Sequence, residues 1–363
     1  MTEIYLLLVE DDEQDRNSCL SAATDFGEDF ECKINISTCK DIDEALTALS
    51  NSFYDGAIID MKLAKVGNEG NQVIRQIRDS LKRIPVVIMT GTPDVAETDN
   101  FPLVNIYKKG EKTYYDIIKE LYGIYLTGLT KIMGGKGEIE KFLSRIFIDN
   151  LLPQRGSWSI YGIDNQERTE KALLRHALNH LTLLLDNDVD KCYPEEMYIY
   201  PPTSTRINTG CILKNKSLDK YFIVMNPACD LAERNGGGCN TDRALLVEIQ
   251  NITDIFPSFN FTDLSKSNKN ELDKIYKNNK SGYYHWLPTV VFFNGGVINF
   301  RMITTHSEAE LSSQYDKPLI QISPAFVKDI VSRFSSYYAR QGQPDIDHEK
   351  GTLAKINQKA EAQ

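Results

Sequence analysis

The sequence predicts three regions. The first is an α/β domain built on a five-stranded, parallel, doubly wound sheet. A helical neck follows, and then a β-rich α+β domain with a small antiparallel, barrel-like sheet. Three observations carry this prediction. As far as about residue 126, short β-branched runs alternate with helix-length segments, the pattern of a parallel α/β fold. From 127 to 190 apolar residues recur at helical spacing, and from 191 onward short strands crowd between Gly, Pro and Asn turns. The expected boundaries are 1–126, 127–190, 191–345 and a loose tail at 346–363.

In the first region, four apolar runs each end in a polar group. Ile4-Tyr5-Leu6-Leu7-Leu8-Val9 ends in Glu10-Asp11-Asp12, and Ala57-Ile58-Ile59 ends in Asp60. Val86-Val87-Ile88-Met89 ends in Thr90, and Val104-Asn105-Ile106-Tyr107 ends in Lys108. In an open α/β sheet, ligand sites form at the C-terminal edge of the strands. The four groups have complementary chemistry. A carboxylate accepts a phosphoryl group only when both negative charges are neutralised, and magnesium, held by a few carboxylates, does this. Glu10 and Asp11 would hold the metal beside Asp60, which is both ligand and nucleophile. Thr90 would offer a hydroxyl, and Lys108 an ammonium, to the phosphoryl oxygens.

In this combination and order, residues 1 to about 126 resemble the receiver domain of bacterial two-component response regulators. The resemblance maps the family's acidic pair onto Glu10 and Asp11, its phospho-acceptor onto Asp60, its switch hydroxyl onto Thr90 and its lysine onto Lys108. It implies a five-stranded parallel sheet wrapped by helices, a magnesium cofactor and a histidine kinase as phosphoryl source. Three departures stand out. Lys109 occupies the position of the proline that usually follows the lysine, so the family's cis peptide is not expected. The segment after Asp60, residues 61–70, lacks a common proline and runs long. The stretch from Gly91 to Pro102 is too short and too rich in Pro, Asp and Asn for an ordinary fourth helix. The family's aromatic switch position, three before the lysine, falls on Asn105.

Composition frames the rest. The 363 residues are 41% hydrophobic and 25% charged, as in globular proteins, and suffice for two or three domains. No apolar run reaches the length of a membrane span, and residues 1–3 lead into a strand rather than a signal peptide. Seven cysteines without CxxC spacing fit a reducing, cytoplasmic setting. Residues 1–126 hold 23 acidic and 13 basic side chains, a net of −10, while the remainder holds 28 of each. A neutral second half without a basic recognition helix argues against a DNA-binding output.

In the neck, residues 138–152 carry a helical stripe ending before Pro153. Asn165 can cap a second helix, 166–185, with Leu174, Ala177, Leu178, Leu181 and Leu185 on one side. Its plainest role is a linker or a dimerisation element, giving a possible homodimer. Arg175-His176-Ala177-Leu178-Asn179-His180 also resembles the active-site motif of HEPN ribonucleases, which would make Arg175 and His180 an RNA-cleaving pair. His176 and His180 stand at the i,i+4 spacing that suits zinc, without an evident third ligand.

The last region reads as strands at 196–200, 211–213, 221–225, 244–249, 289–293 and 297–302, with Asn294-Gly295-Gly296 as a hairpin turn. The polar stretch 260–281 is expected to be a long loop or a surface helix over 272–277. Cys229 and Asp230 follow the most apolar strand and form a speculative second site, with His285 a candidate partner. A zinc set of Cys211, Cys229, Cys239 and His285 lacks paired spacing. A final helix from Ser323 to Ala339 carries Phe326, Ile330, Phe334 and Tyr338 as its apolar stripe.

Two functions follow from these readings. One is a response regulator whose receiver controls a non-DNA output with an unknown partner, or acts as a phosphate sink. The other is a receiver-gated effector enzyme, such as a HEPN-like ribonuclease in stress or phage defence.

Overall fold

Strand and helix alternate in the first third of the chain as their apolar periods require. The computed structural model describes residues 2–63, 68–97, 104–135, 137–185, 191–232, 239–257, 260, 262, 265–340, 342, 344–348 and 350. In order come β1 (Thr2–Val9), α1 (Glu13–Asp29), β2 (Cys32–Cys39), α2 (Ile42–Asn51) and β3 (Gly56–Ile59). Then follow α3 (Gly70–Asp79), β4 (Val86–Thr90), β5 (Asn105–Lys108) and α4 (Tyr114–Leu126). The strands lie parallel in the order β2-β1-β3-β4-β5, which is the receiver fold. Side chains alternate between two cores. Leu7, Val9, Ile59 and Ile88 face one core, while Leu6, Leu8, Ile58 and Val87 face the other. Coverage on both faces explains why β1, β3 and β4 read as nearly continuous apolar runs.

Between β4 and β5 the described residues form one 3-10 turn, Pro93–Val95, and no α-helix. Part of the short stretch noted in the sequence, 98–103, lies outside the described residues, as do 64–67 of the long segment after Asp60.

The helical segment contains α5 (Leu129–Met133), α6 (Glu138–Arg145), α7 (Arg155–Asp164) and α8 (Gln166–Leu185). The single helix expected at 138–152 is instead α6 followed by a π turn, Ile146–Leu151, and a 3-10 turn, Leu152–Gln154. Pro153 has no N–H to give and crowds the preceding turn, so the α ladder changes its pitch before it. The α8 bounds match the sequence reading, and Asn165 caps it by accepting from the Arg168 N–H at 3.0 Å. The chain divides into two compact units, Met1–Val189 and Asp190–Gln363, so α5–α8 share a unit with the parallel sheet.

The second unit holds β6 (Tyr198–Ile199), β7 (Cys211–Lys214), β8 (Tyr221–Val224), β9 (Arg243–Gln250), α9 (Ile252–Ile255) and α10 (Lys266–Tyr276). It continues with β10 (Tyr284–Leu287), β11 (Gly296–Ser307), α11 (Glu308–Gln314), β12 (Ile320–Ile322) and α12 (Pro324–Ala339). Its curled seven-stranded sheet is antiparallel throughout, in the order β10-β11-β9-β8-β7-β12-β6. The long β11 changes register against β9 between Ile298 and Ile303, which bends the sheet. One face packs under Phe326, Val327, Ile330 and Phe334 of α12.

Three expectations are corrected in this unit. Residues 289–293 are not a strand: Val290 and Phe293 bond only each other, and Val291 is fully exposed. The hairpin instead joins β10 to β11, with Leu287 opposite Gly296. Gly295 takes φ +68°, where an added Cβ would lie 2.5 Å from the Leu287 carbonyl oxygen. The surface helix is longer than expected, running from Lys266. On α12, Tyr337 packs into the core and Tyr338 is about half exposed, because steps of four residues drift about 40° around a helix. Among the described residues no helix is long and apolar enough to cross a membrane.

Candidate functional site

The site is assembled at the C-terminal edge of the parallel sheet. Glu10 extends β1, donating its N–H to the Cys39 carbonyl at 2.9 Å. Asp60, just past β3, donates its own N–H to the Val9 carbonyl at 2.9 Å. The two carboxylates are therefore neighbours by backbone pairing, and both are buried, at 1% and 5% exposure. Asp11 is exposed beside them. One oxygen from each of Glu10, Asp11 and Asp60 lies within 4.8 Å of the others. Among the described residues this is the one group of three or more potential ligands.

Local chemistry fixes the loop that carries the acids. Asp12 caps α1, its Oδ1 accepting from the N–H groups of Gln14 at 2.8 Å and Asp15 at 3.1 Å. Asp12 is thus a helix cap, while its own N–H donates to Glu10 Oε1 at 3.1 Å. The Arg16 guanidinium clamps the turn by donating to the carbonyls of Glu10 at 2.9 Å and Asp11 at 2.7 Å. Behind Asp60, α3 begins at Gly70, where a Cβ would stand 2.4 Å from the Asp60 carbonyl oxygen. Only glycine permits that approach.

Thr90 ends β4 fully buried, its hydroxyl oxygen accepting from the Thr92 N–H at 3.3 Å. The lysine is the main correction. Lys108 is exposed, whereas the Lys109 ammonium enters the site. Its Nζ lies 2.8 Å from Glu10 Oε2, 2.6 Å from Asp15 Oδ2 and 3.0 Å from Asp60 Oδ2. Successive side chains of a strand alternate in direction, so of two adjacent lysines one is turned outward. The Lys109 N–H, bonded to the Thr90 carbonyl at 2.9 Å, sets which. With Lys109 in the site, the residue after the lysine is Gly110, and the residue three before it is Ile106 rather than Asn105. Asp15 and Tyr114 are also members that the sequence reading missed. Tyr114 is buried and donates its hydroxyl to Glu10 Oε2 at 3.4 Å.

The electrostatics show a site short of positive charge. Burial pushes the Glu10 carboxyl up to about 7, and the Asp60 charge adds to this, against the opposing bonds from Lys109 and the Asp12 N–H. Burial would lower Lys109, but its bonds to Asp15, Glu10 and Asp60 outweigh that and hold its proton more firmly than usual. Burial, and then the Glu10 charge, raise the Tyr114 hydroxyl. One ammonium serves Glu10, Asp15 and Asp60, an arrangement that favours a further cation. The donors are all carboxylate oxygens, the set that suits a hard dication such as magnesium.

Among the described residues the other sequence candidates meet at most in pairs, and Arg175 does not join His180. Residues five apart on a helix point about 140° away from each other. Arg175 is exposed, while His180 meets His176 with Nε2 atoms 3.4 Å apart. Cys229 is exposed with its thiol 3.7 Å from Asp230 Oδ1. His285 is buried in β10, 3.8 Å from Asp329 Oδ2, and among the described residues has no hydrogen-bond partner on either ring nitrogen. Cys211 donates its thiol to Gln321 Oε1 at 2.9 Å, so no Cys and His zinc set forms among the described residues.

Among the solved structures similar to this chain, three receiver-type structures each cover about a third of it. One is a Francisella response-regulator receiver domain, 19% identical, covering 34% of this chain and 98% of that one, with a TM-score of 0.27. Another is the receiver domain of a Pseudomonas aeruginosa sensor histidine kinase, with a magnesium ion coordinated in its active-site cleft. It is 18% identical, covering 34% and 97%, with a TM-score of 0.27. A third is a Thermotoga maritima response regulator in complex with magnesium and BeF, 21% identical, covering 34% and 98%, with a TM-score of 0.26. No family model matches the sequence, and no curated protein does. At these identities the likeness is one of fold.

Proposed function

We propose that this chain is a response regulator whose receiver, residues 1–126, accepts a phosphoryl group on Asp60 from a histidine kinase. The observation that carries the reading is the placement of Asp60. Its carboxylate lies 3.0 Å from the Lys109 ammonium and shares a ligand-sized space with Glu10 and Asp11. An Asp60 oxygen forms the new bond to phosphorus. The bond from phosphorus to the donor nitrogen breaks, and its electron pair stays with the donor. Lys109 pairs with one phosphoryl oxygen and the Thr90 hydroxyl with another, replacing contacts they make in the free site. Glu10, Asp11 and Asp60 would hold magnesium, which supplies the charge neutralisation that lets two anions meet.

The receiver state would control the second unit, through a non-DNA output, or the domain would act as a phosphate sink. Residues 127–190 then serve as a helical linker, and 191–345 as the output domain. Beryllofluoride with magnesium tests the site, read by a change in Tyr114 or Tyr107 resonances. Asp60→Asn is expected to abolish the response. An unchanged response in that variant would remove Asp60 from the proposal.

A further inference from the structure

We infer that His176 and His180 on α8 form a binding site for a single zinc-class transition-metal dication, separate from the acidic site. The two residues are one helical turn apart and share a face, about 40° from each other around the axis. Their Nε2 atoms stand 3.4 Å apart, with the rings nearly perpendicular at 73° and centroids 4.6 Å apart. Two nitrogens bound tetrahedrally to one zinc at its normal bond length are themselves separated by about 3.3–3.4 Å. The pair thus already has the bite of one ion.

The alternative use of this geometry is a bond between the two neutral rings. That bond satisfies one lone pair at most, and 3.4 Å is long against the usual 2.9–3.0 Å of an N–H donor. Among the described residues no third His, Cys, Asp or Glu ligand joins the pair, so water would fill the other positions. A shared dication would engage both lone pairs, at the separation the two nitrogens already have.

The surroundings agree with an ion held on an open site. Trp158 of α7 lies against His176, with ring centroids 5.8 Å apart, and walls one side. Its indole N–H is buried without an acceptor among the described residues. Both histidines are only half-buried, so solvent can fill the remaining positions. The spacing is that of the two histidines in the helical HExxH motif, but Ala177 stands where that motif has its general base. The site is therefore suited to holding an ion and stapling a turn of α8, not to hydrolysis.

Zinc ion titrated calorimetrically into the full chain tests this, with magnesium in excess to fill the acidic site. A parallel variant replaces the exposed thiols Cys192, Cys229 and Cys239 by serine. One zinc per chain is expected in the parent and in the serine variant. Affinity should fall at least about tenfold, about 1.4 kcal/mol, in His176→Gln and in His180→Gln. Hydrogen exchange on the unmutated chain gives a reading independent of those variants, with zinc expected to slow exchange around residues 172–184. Equal zinc uptake by the histidine variants, no uptake by the parent, or protection confined to other segments would each overturn the site.

Discussion

Lys109 and Lys108 are adjacent and chemically identical, yet the structure gives them different work. Lys109 joins three carboxylates, two of them buried, while Lys108 is exposed. Removing one partner of a buried charge pair leaves the other uncompensated, at a cost of several kcal/mol when the remaining charge cannot relax. Lys109→Gln should therefore lose phosphoryl loading and lower stability by about 1–3 kcal/mol. Lys108→Gln should change stability by no more than about 0.5 kcal/mol and leave loading intact. Chemical denaturation and loading kinetics on the two variants decide it, and the opposite ranking would return the role to Lys108. Gly70 is a second single-residue test. A methyl group there meets the Asp60 carbonyl, so Gly70→Ala should destabilise the domain by about 1–3 kcal/mol, measured by thermal melting.

At the scale of elements, legibility followed how strongly each segment was buried. β1, β3 and β4 are buried on both faces, so their β-branched runs and their terminal acids and threonine stood out in the sequence. β5 is a half-exposed edge strand of only four residues, too short for alternation to show which lysine turns inward. β10 and β12 were missed for a related reason: Tyr-His-Trp-Leu and Ile-Gln-Ile carry strand-favouring residues but, at four and three residues, are too short for alternation to stand out. The apolar residues at 289–293 misled because they cap a loop. Phe292 stacks on Tyr200 at 4.1 Å, and Phe293 packs against Tyr198. β10 also carries a pH-sensitive element. Burial, with the nearby Arg333 charge, lowers the His285 imidazole to about 3, against an ordinary value near 6.5. The unfolded chain takes up this proton below about pH 6.5 and the folded chain does not. Stability is therefore present above that pH and lost as pH falls toward about 3. Urea unfolding of His285→Phe against the parent should show a shallower acid slope in the variant. Equal slopes would place the titration elsewhere.

For the whole molecule, charge separates the two halves. The entire net charge of −10 belongs to residues 1–126, and the rest is balanced. Duplex DNA attracts proteins through a basic face, and residues 127–363 carry no net positive charge toward one. We expect no duplex binding at physiological salt, with or without beryllofluoride, by fluorescence anisotropy. Saturable binding in either state would contradict the non-DNA output. What the second unit does was not legible, because among the described residues no three of its sequence candidates share a site. The acids and the threonine of the first unit were legible because they lie at strand ends, where sequence order and spatial position coincide. The central claim concerns one carboxylate. Intact-mass analysis of the full chain, after incubation with acetyl phosphate and magnesium and borohydride trapping, tests it most directly. The expected result is a single phosphoryl group per chain, mapped to Asp60 and absent from Asp60→Asn. A phosphoryl group that persists in that variant, or maps to another residue, would contradict the account.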